Sequence, residues 1–112
     1  MRLVSAEAFS QRAKSILSEP RFCAAGWVTG PGRSGAVAAV YASHVLRIPF
    51  VPFGAAAAPR GRPLVIDTAR STGAALRKAL RRYESFDPIE CVLFEEPPRV
   101  QFWYELPIGE RS

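Results

Sequence analysis

Leu64-Val65-Ile66-Asp67-Thr68-Ala69-Arg70-Ser71-Thr72-Gly73-Ala74-Ala75-Leu76 is the stretch on which the reading of this chain turns. An apolar run ends in a single carboxylate. Small residues, hydroxyls, one Arg and a Gly follow, and then a helical pattern opens. The physical translation is a strand, a tight turn rich in donors, and a helix N-terminus. The first backbone N–H groups of a helix lack partners within it, and the helix dipole is positive at that end. Such a turn suits a phosphate. A second turn of the same kind lies upstream, at Gly30-Pro31-Gly32-Arg33-Ser34-Gly35.

The charge pattern around both turns supports an anion. The chain carries a formal net charge of +5. Between Glu19 and Glu84 the only acid is Asp67, whereas Arg21, Arg33, Arg47, Arg60, Arg62, Arg70, Arg77, Lys78, Arg81 and Arg82 all fall in that interval. A positive field of this kind is compatible with nucleic acid, an acidic membrane surface or a small polyanion. Arg77, Lys78, Arg81 and Arg82 share one helical face, and the last two sit near its C-terminus, where the dipole favours cations. That explanation suffices for them without nucleic acid.

The remaining bulk features narrow the class. At 112 residues and 48% hydrophobic, the chain is read as one domain, 1–112, with a modest core. No apolar run reaches the ~18 residues that span a bilayer, and Met1 to Ser5 lacks the apolar core of a signal peptide. Cys23 and Cys91 lie inside apolar runs and read as buried reduced thiols. The single His44 has no Cys or His nearby, so the chain itself offers no metal-ligand spacing. A cytoplasmic location is expected.

Outward from the central stretch, strands alternate with helices. Ser5 caps a helix to about Ser18, with Phe9, Ala13, Ile16 and Leu17 on one face and Pro20 as its stop. Residues 22–29 read as a buried strand, with Trp27 as core or ligand wall. A helix from about Ser34 to Leu46 follows, its Ala-rich side permitting close packing. Ile48 to Pro52 reads as a short strand near an edge, because Pro49 and Pro52 are awkward in a central one. Gly54 to Arg62 is a linker. Pro63 to Asp67 is the next strand, then a helix from about Thr72 to Tyr83, and a strand from Ile89 to Phe94. From Arg99 to Leu106 apolar residues alternate (Val100, Phe102, Tyr104, Leu106), as in a half-buried edge strand with Trp103 on its other side. The order predicts a three-layer α/β fold: a mostly parallel sheet of about five strands with helices on both faces. Ligands bind such sheets at the carboxyl ends of the strands, where both turns lie.

The upstream turn has the Gly-x-Gly-x-x-Gly spacing of a dinucleotide fingerprint, but the next strand ends in Pro52-Phe53-Gly54 without the acid that would hold a ribose. Gly30 and Gly35 also have the outer spacing of a Walker A loop, but Ala36 stands where its Lys belongs. A turn that uses glycine only for its backbone freedom remains open.

Taken together, the two turns resemble the type I phosphoribosyltransferase family. Its signature is an aliphatic strand ending in two adjacent acids and a loop rich in Thr, Gly and small residues, and 64–73 is similar to it with Asp67 at the first acid. An earlier loop in that family holds pyrophosphate, and Gly30 to Gly35 looks like it in order and place. The resemblance spans roughly Phe22 to Phe94. It implies that Asp67, the catalytic candidate, and Thr68 meet the ribose hydroxyls. Ala69, Arg70, Ser71, Thr72 and Gly73 hold the 5′-phosphate, and Gly30, Pro31, Gly32, Arg33, Ser34 and Gly35 hold the pyrophosphate. The implied ligand is phosphoribosyl pyrophosphate or a nucleotide, with Mg²⁺ carried on the ligand. The implied reaction displaces pyrophosphate from the sugar by a nitrogenous base.

Two departures separate the sequence from that pattern. Thr68 occupies the position of the second acid, and the linker from Gly54 to Arg62 stands where a long mobile loop is usual. The hood over the base is reduced or absent, with the N-terminal helix and the Trp103 segment as its only candidates. Three functions stay open on the sequence: a minimal phosphoribosyltransferase, a non-catalytic sensor of a phosphoribosylated compound or nucleotide, and an adaptor using the basic helix and the Trp103 edge. Pairing of that edge with a second copy would give a homodimer.

Overall fold

In the computed structural model, residues 2–56, 59–69, 73–95 and 100–110 are described. The strands are β1 (Arg2–Val4), β2 (Ala25–Thr29), β3 (Arg62–Ala69), β4 (Ile89–Phe94) and β5 (Val100–Phe102). The helices are α1 (Ala6–Leu17), α2 (Gly32–Leu46) and α3 (Ala74–Arg82). All strand pairings are parallel, and the strands form two sheets, β2-β3-β4 and β1-β5. The architecture is α/β, with the main sheet between helices.

The pleat explains the layers. Successive side chains of a strand point to opposite faces. Leu64 and Ile66 of β3 join Val28, Cys91 and Leu93 in the cluster formed with α1 and α2. Val65 joins Trp27, Leu76, Ala79 and Tyr83 in a second cluster under α3. α2 lies close to the sheet because the side chains it buries are Ala38, Ala39 and Ala42. α1 starts where Ser5 Oγ accepts the Ala8 N–H at 3.1 Å, and it buries Phe9, Ala13 and Leu17. Phe9 is the hub of an aromatic cluster that holds Tyr41, Phe102 and Trp103 edge-on, at 4.9, 5.6 and 5.4 Å between ring centroids. Trp27 is fully buried, edge-on to Tyr83, and its indole N–H donates to the Gly61 carbonyl at 3.1 Å.

Four expectations are corrected. Ile48 to Pro52 is not a strand: it makes one parallel bridge, Val28 to Phe50, with Val28 N–H donating to Pro49 O and Val51 N–H to Val28 O. Pro49 and Pro52 have no N–H to extend that ladder. The fifth strand is instead Arg2–Val4, too short for its periodicity to be read. β5 ends at Phe102, because Glu105 Oε1 accepts the Phe102 N–H at 2.8 Å and turns 103–105 into a 3-10 turn. Trp103 therefore lies beyond the edge strand, half-buried against Phe9 and Tyr41. Cys23 is exposed: the chain enters β2 through a 3-10 turn, Pro20–Ala24, which buries Phe22 and leaves Cys23 outside. Cys91 is buried as expected, and burial pushes its thiol up to about 12.

Among the described residues no helix is long and apolar enough to cross a membrane. The linker is anchored at both ends. Gly54 N–H donates to the Tyr83 hydroxyl at 2.9 Å, and Arg82 donates to Gly54 O at 3.3 Å. Gly61 accepts from Trp27.

Candidate functional site

The first turn lies at the carboxyl end of β2, which pairs in parallel with β3, the strand that carries Asp67. β2 runs into the turn 30–35 and β3 runs toward 70–73. A Cβ on Gly30 would overlap the Gly35 carbonyl and approach the Ile66 carbonyl oxygen to 2.6 Å. A Cβ on Gly35 would lie 2.6 Å from the Gly30 carbonyl carbon and 2.8 Å from Pro31 Cδ. The outer glycines thus let the first turn fold onto itself and onto the backbone of β3 at Ile66. The middle one does something else: Gly32 has φ +65° with open space around it, a backbone shape that side-chain-bearing residues adopt at a cost.

Helix α2 begins at Gly32 with no side chain capping it, so the N–H groups of Gly32, Arg33 and Ser34 carry the positive end of the dipole. Gly35 N–H is taken by Pro31 O at 3.0 Å. Arg33 is exposed, and its guanidinium donates to the Tyr104 carbonyl at 3.1 Å. Ser34 Oγ accepts from the Tyr104 hydroxyl at 3.0 Å.

On the second turn, β3 continues two residues past Asp67, to Ala69. Asp67 and Thr68 are therefore consecutive strand positions on opposite faces of the sheet. Asp67 shares the Val65 face. It is half-buried, its Oδ1 accepts the Thr68 N–H at 2.8 Å, and burial holds its carboxyl above the usual carboxylate range against the opposing pull of that bond. Thr68 is buried on the other face, where its hydroxyl bonds to that of Tyr104. Gly73 is the N-cap of α3 with φ 79°. The 5′-phosphate candidates Arg70, Ser71 and Thr72 lie outside the described residues, leaving Ala69 and Gly73 as the edges of that loop.

Two polar side chains belong to this site that the sequence reading did not assign. In the alternation from 99 to 106 Tyr104 reads only as an apolar position, yet a buried Tyr needs a partner for its hydroxyl, and that demand is the available signal. Thr29, the last residue of β2, is fully buried, and its Oγ1 has no hydrogen-bond partner among the described residues. It pairs with Val65, one pleat before Asp67 and on the same face. An unpartnered buried hydroxyl costs about 1–3 kcal/mol.

No protein-family profile matches the sequence, and no curated protein matches it. Solved structures do match the fold. A purine phosphoribosyltransferase from Pyrococcus horikoshii superposes over 100% of both chains at TM-score 0.72 and 17% identity. A xanthine-guanine-hypoxanthine phosphoribosyltransferase from Helicobacter pylori matches 94% of this chain and 92% of its own, at TM-score 0.68 and 14% identity. A hypothetical protein from Neisseria gonorrhoeae with bound ppGpp matches 98% and 93%, at TM-score 0.74 and 11% identity. The chain has the type I phosphoribosyltransferase fold.

Proposed function

We propose that the chain binds phosphoribosyl pyrophosphate or a nucleotide across the two turns and transfers the phosphoribosyl group to a nitrogenous base. The observation that carries this reading is the close approach of Gly30, in the first turn, to the backbone of Ile66 in β3, one residue before Asp67. It brings the turn that leads into α2 against the strand that carries Asp67. In this reading Asp67 accepts hydrogen bonds from the ribose hydroxyls. The N–H groups at 32–34 and the Arg33 charge take the pyrophosphate, and the turn 69–73 takes the 5′-phosphate. As the bond from C1 to pyrophosphate breaks, negative charge grows on the leaving oxygens. Fixed donors at the start of α2 lower the energy of that charge without reorganising.

A Mg²⁺ ion fits this site only as a companion of the ligand. Among the described residues no three His, Cys, Asp or Glu side chains gather to hold a metal, and one Oδ of Asp67 is already bonded. The partner is then a phosphorylated ribose ligand rather than nucleic acid or membrane, in keeping with an expected cytoplasmic location.

Incubation with phosphoribosyl pyrophosphate, Mg²⁺ and a panel of purine and pyrimidine bases, orotate included, tests the reaction. Base-dependent release of pyrophosphate is expected. A non-catalytic sensor is the second reading. It is favoured by Thr68 in place of an acid, by the anchored linker where a mobile loop would stand, and by the ppGpp in the Neisseria structure. Tight binding of the same ligand without turnover for any base selects the sensor. Absence of binding by calorimetry removes both.

A further inference from the structure

The hydroxyls of Ser34, Tyr104 and Thr68 come from three separate elements: the first turn of α2, the segment after β5, and β3. Tyr104 stands between the other two, donating to Ser34 Oγ at 3.0 Å while its hydroxyl also bonds to Thr68. Its ring is held from several sides. It stacks on Phe102 at 5.6 Å with an interplanar angle of 7° and meets Trp103 edge-on at 5.0 Å. The Arg33 guanidinium lies 5.8 Å from its centre, on the same residue whose carbonyl Arg33 bonds. The Glu105 bond to Phe102 N–H fixes the turn that carries it.

A hydroxyl has one proton to give and two positions to accept. When Tyr104 donates to Ser34 Oγ, Ser34 keeps its own proton for an acceptor. We propose that Tyr104 is a positioning residue of the first turn: it orients Ser34 as a donor, and steadies Arg33, toward the pyrophosphate-type oxygens of the ligand. The inference rests on the anion-binding reading of that turn. Burial raises the Tyr104 pKa, so the phenol keeps its proton near neutral pH and stays a donor. Arg33 spends part of its donor fork on the Tyr104 carbonyl and keeps the rest. Thr68, at the position of the absent second acid, takes part as a neutral hydroxyl.

Calorimetry with inorganic pyrophosphate on the intact chain tests the assignment. Wild type should bind. Tyr104→Phe, which keeps the ring and loses only the hydroxyl, should weaken binding about tenfold, and Ser34→Ala by a similar factor. The double variant should bind no more weakly than Ser34→Ala, because Tyr104 acts through Ser34. Ser34→Thr, which restores a hydroxyl, should bind like wild type and lose affinity again when Tyr104→Phe is added. Wild-type affinity in Tyr104→Phe overturns the inference. So does a double variant whose loss is the product of the two single losses, since a purely structural tyrosine would behave that way. A wild type that ignores pyrophosphate overturns the anion reading of the turn and this inference with it.

Discussion

The two turns at the top of the sheet are built on different principles. The first, 30–35, contributes backbone to the proposed site: glycines, a helix start, and, at Gly30 and Gly35, atoms packed so closely that a methyl group does not fit. The second contributes a side chain to the proposed site, the Asp67 carboxylate, held partly out of water at a cost to its charged form. The first turn should therefore be unforgiving to added atoms and insensitive to pH. The second should tolerate isosteric change and respond to pH. Geometry carries one half of the site and electrostatics the other.

The largest expected effect is at Gly30. Gly30→Ala places a methyl against the carbonyls of Gly35 and Ile66, and overpacking of this kind costs about 3 kcal/mol. For a domain of this size that lowers the thermal midpoint by ~12 °C or more, which calorimetric melting reads directly. A variant that melts like wild type would break the contrast between the turns. Next comes Asp67→Ala, which should weaken phosphoribosyl pyrophosphate roughly a hundredfold by removing charge-assisted hydrogen bonds to the ribose. Inorganic pyrophosphate, which has no ribose, should bind as before. Equal loss of both ligands would merge the two halves of the site into one.

Gly32→Ala is the milder counterpart of Gly30→Ala. Open space surrounds Gly32, and only its positive φ resists a side chain, so about 1 kcal/mol of stability should be lost. Urea titration of the two variants side by side measures the gap between steric and conformational demand. The smallest effect is at Asp67→Asn. Because burial raises the folded pKa of Asp67 above its unfolded value, the neutral form is the one the fold prefers. Its contribution is complete at pH below the unfolded value, about 4, and is lost as pH rises through the folded pKa. Asn is neutral throughout, so this variant should melt slightly higher than wild type at pH 7, and the difference should vanish below about pH 4. A gain that persists at low pH would point to packing rather than charge.

The same contrast explains what could be read from the sequence. The main sheet, the helices over it and the first turn were legible, because periodic apolar runs, a Ser cap at Ser5 and glycines at strand ends are local signals. Asp67 stood out as the lone acid in a long basic interval. What escaped was non-local. β1 is three residues long and exists only because β5 pairs with it. The alternation holds in burial from 100 to 104, since Val100, Phe102 and Tyr104 are all buried, yet a single side-chain bond from Glu105 bends it out of the strand. The separation of Asp67 from Thr68 hinged on β3 running to Ala69 rather than stopping at the carboxylate. The hydroxyl of Thr29, without a partner among the described residues, became visible only once its surroundings were closed.

The ladder between Arg2–Val4 and Val100–Phe102 has a consequence in time rather than in space. It joins segments separated by nearly the whole sequence, and closing so large a loop is entropically expensive before its contacts form. The three-strand sheet, whose neighbours are nearer in sequence, can assemble first. The β1-β5 ladder is then expected to close late and to bring Tyr104 to Ser34 as it does. Refolding watched by far-ultraviolet dichroism should accordingly run ahead of the recovery of anion binding, making the ability to hold a ligand one of the last properties the chain acquires.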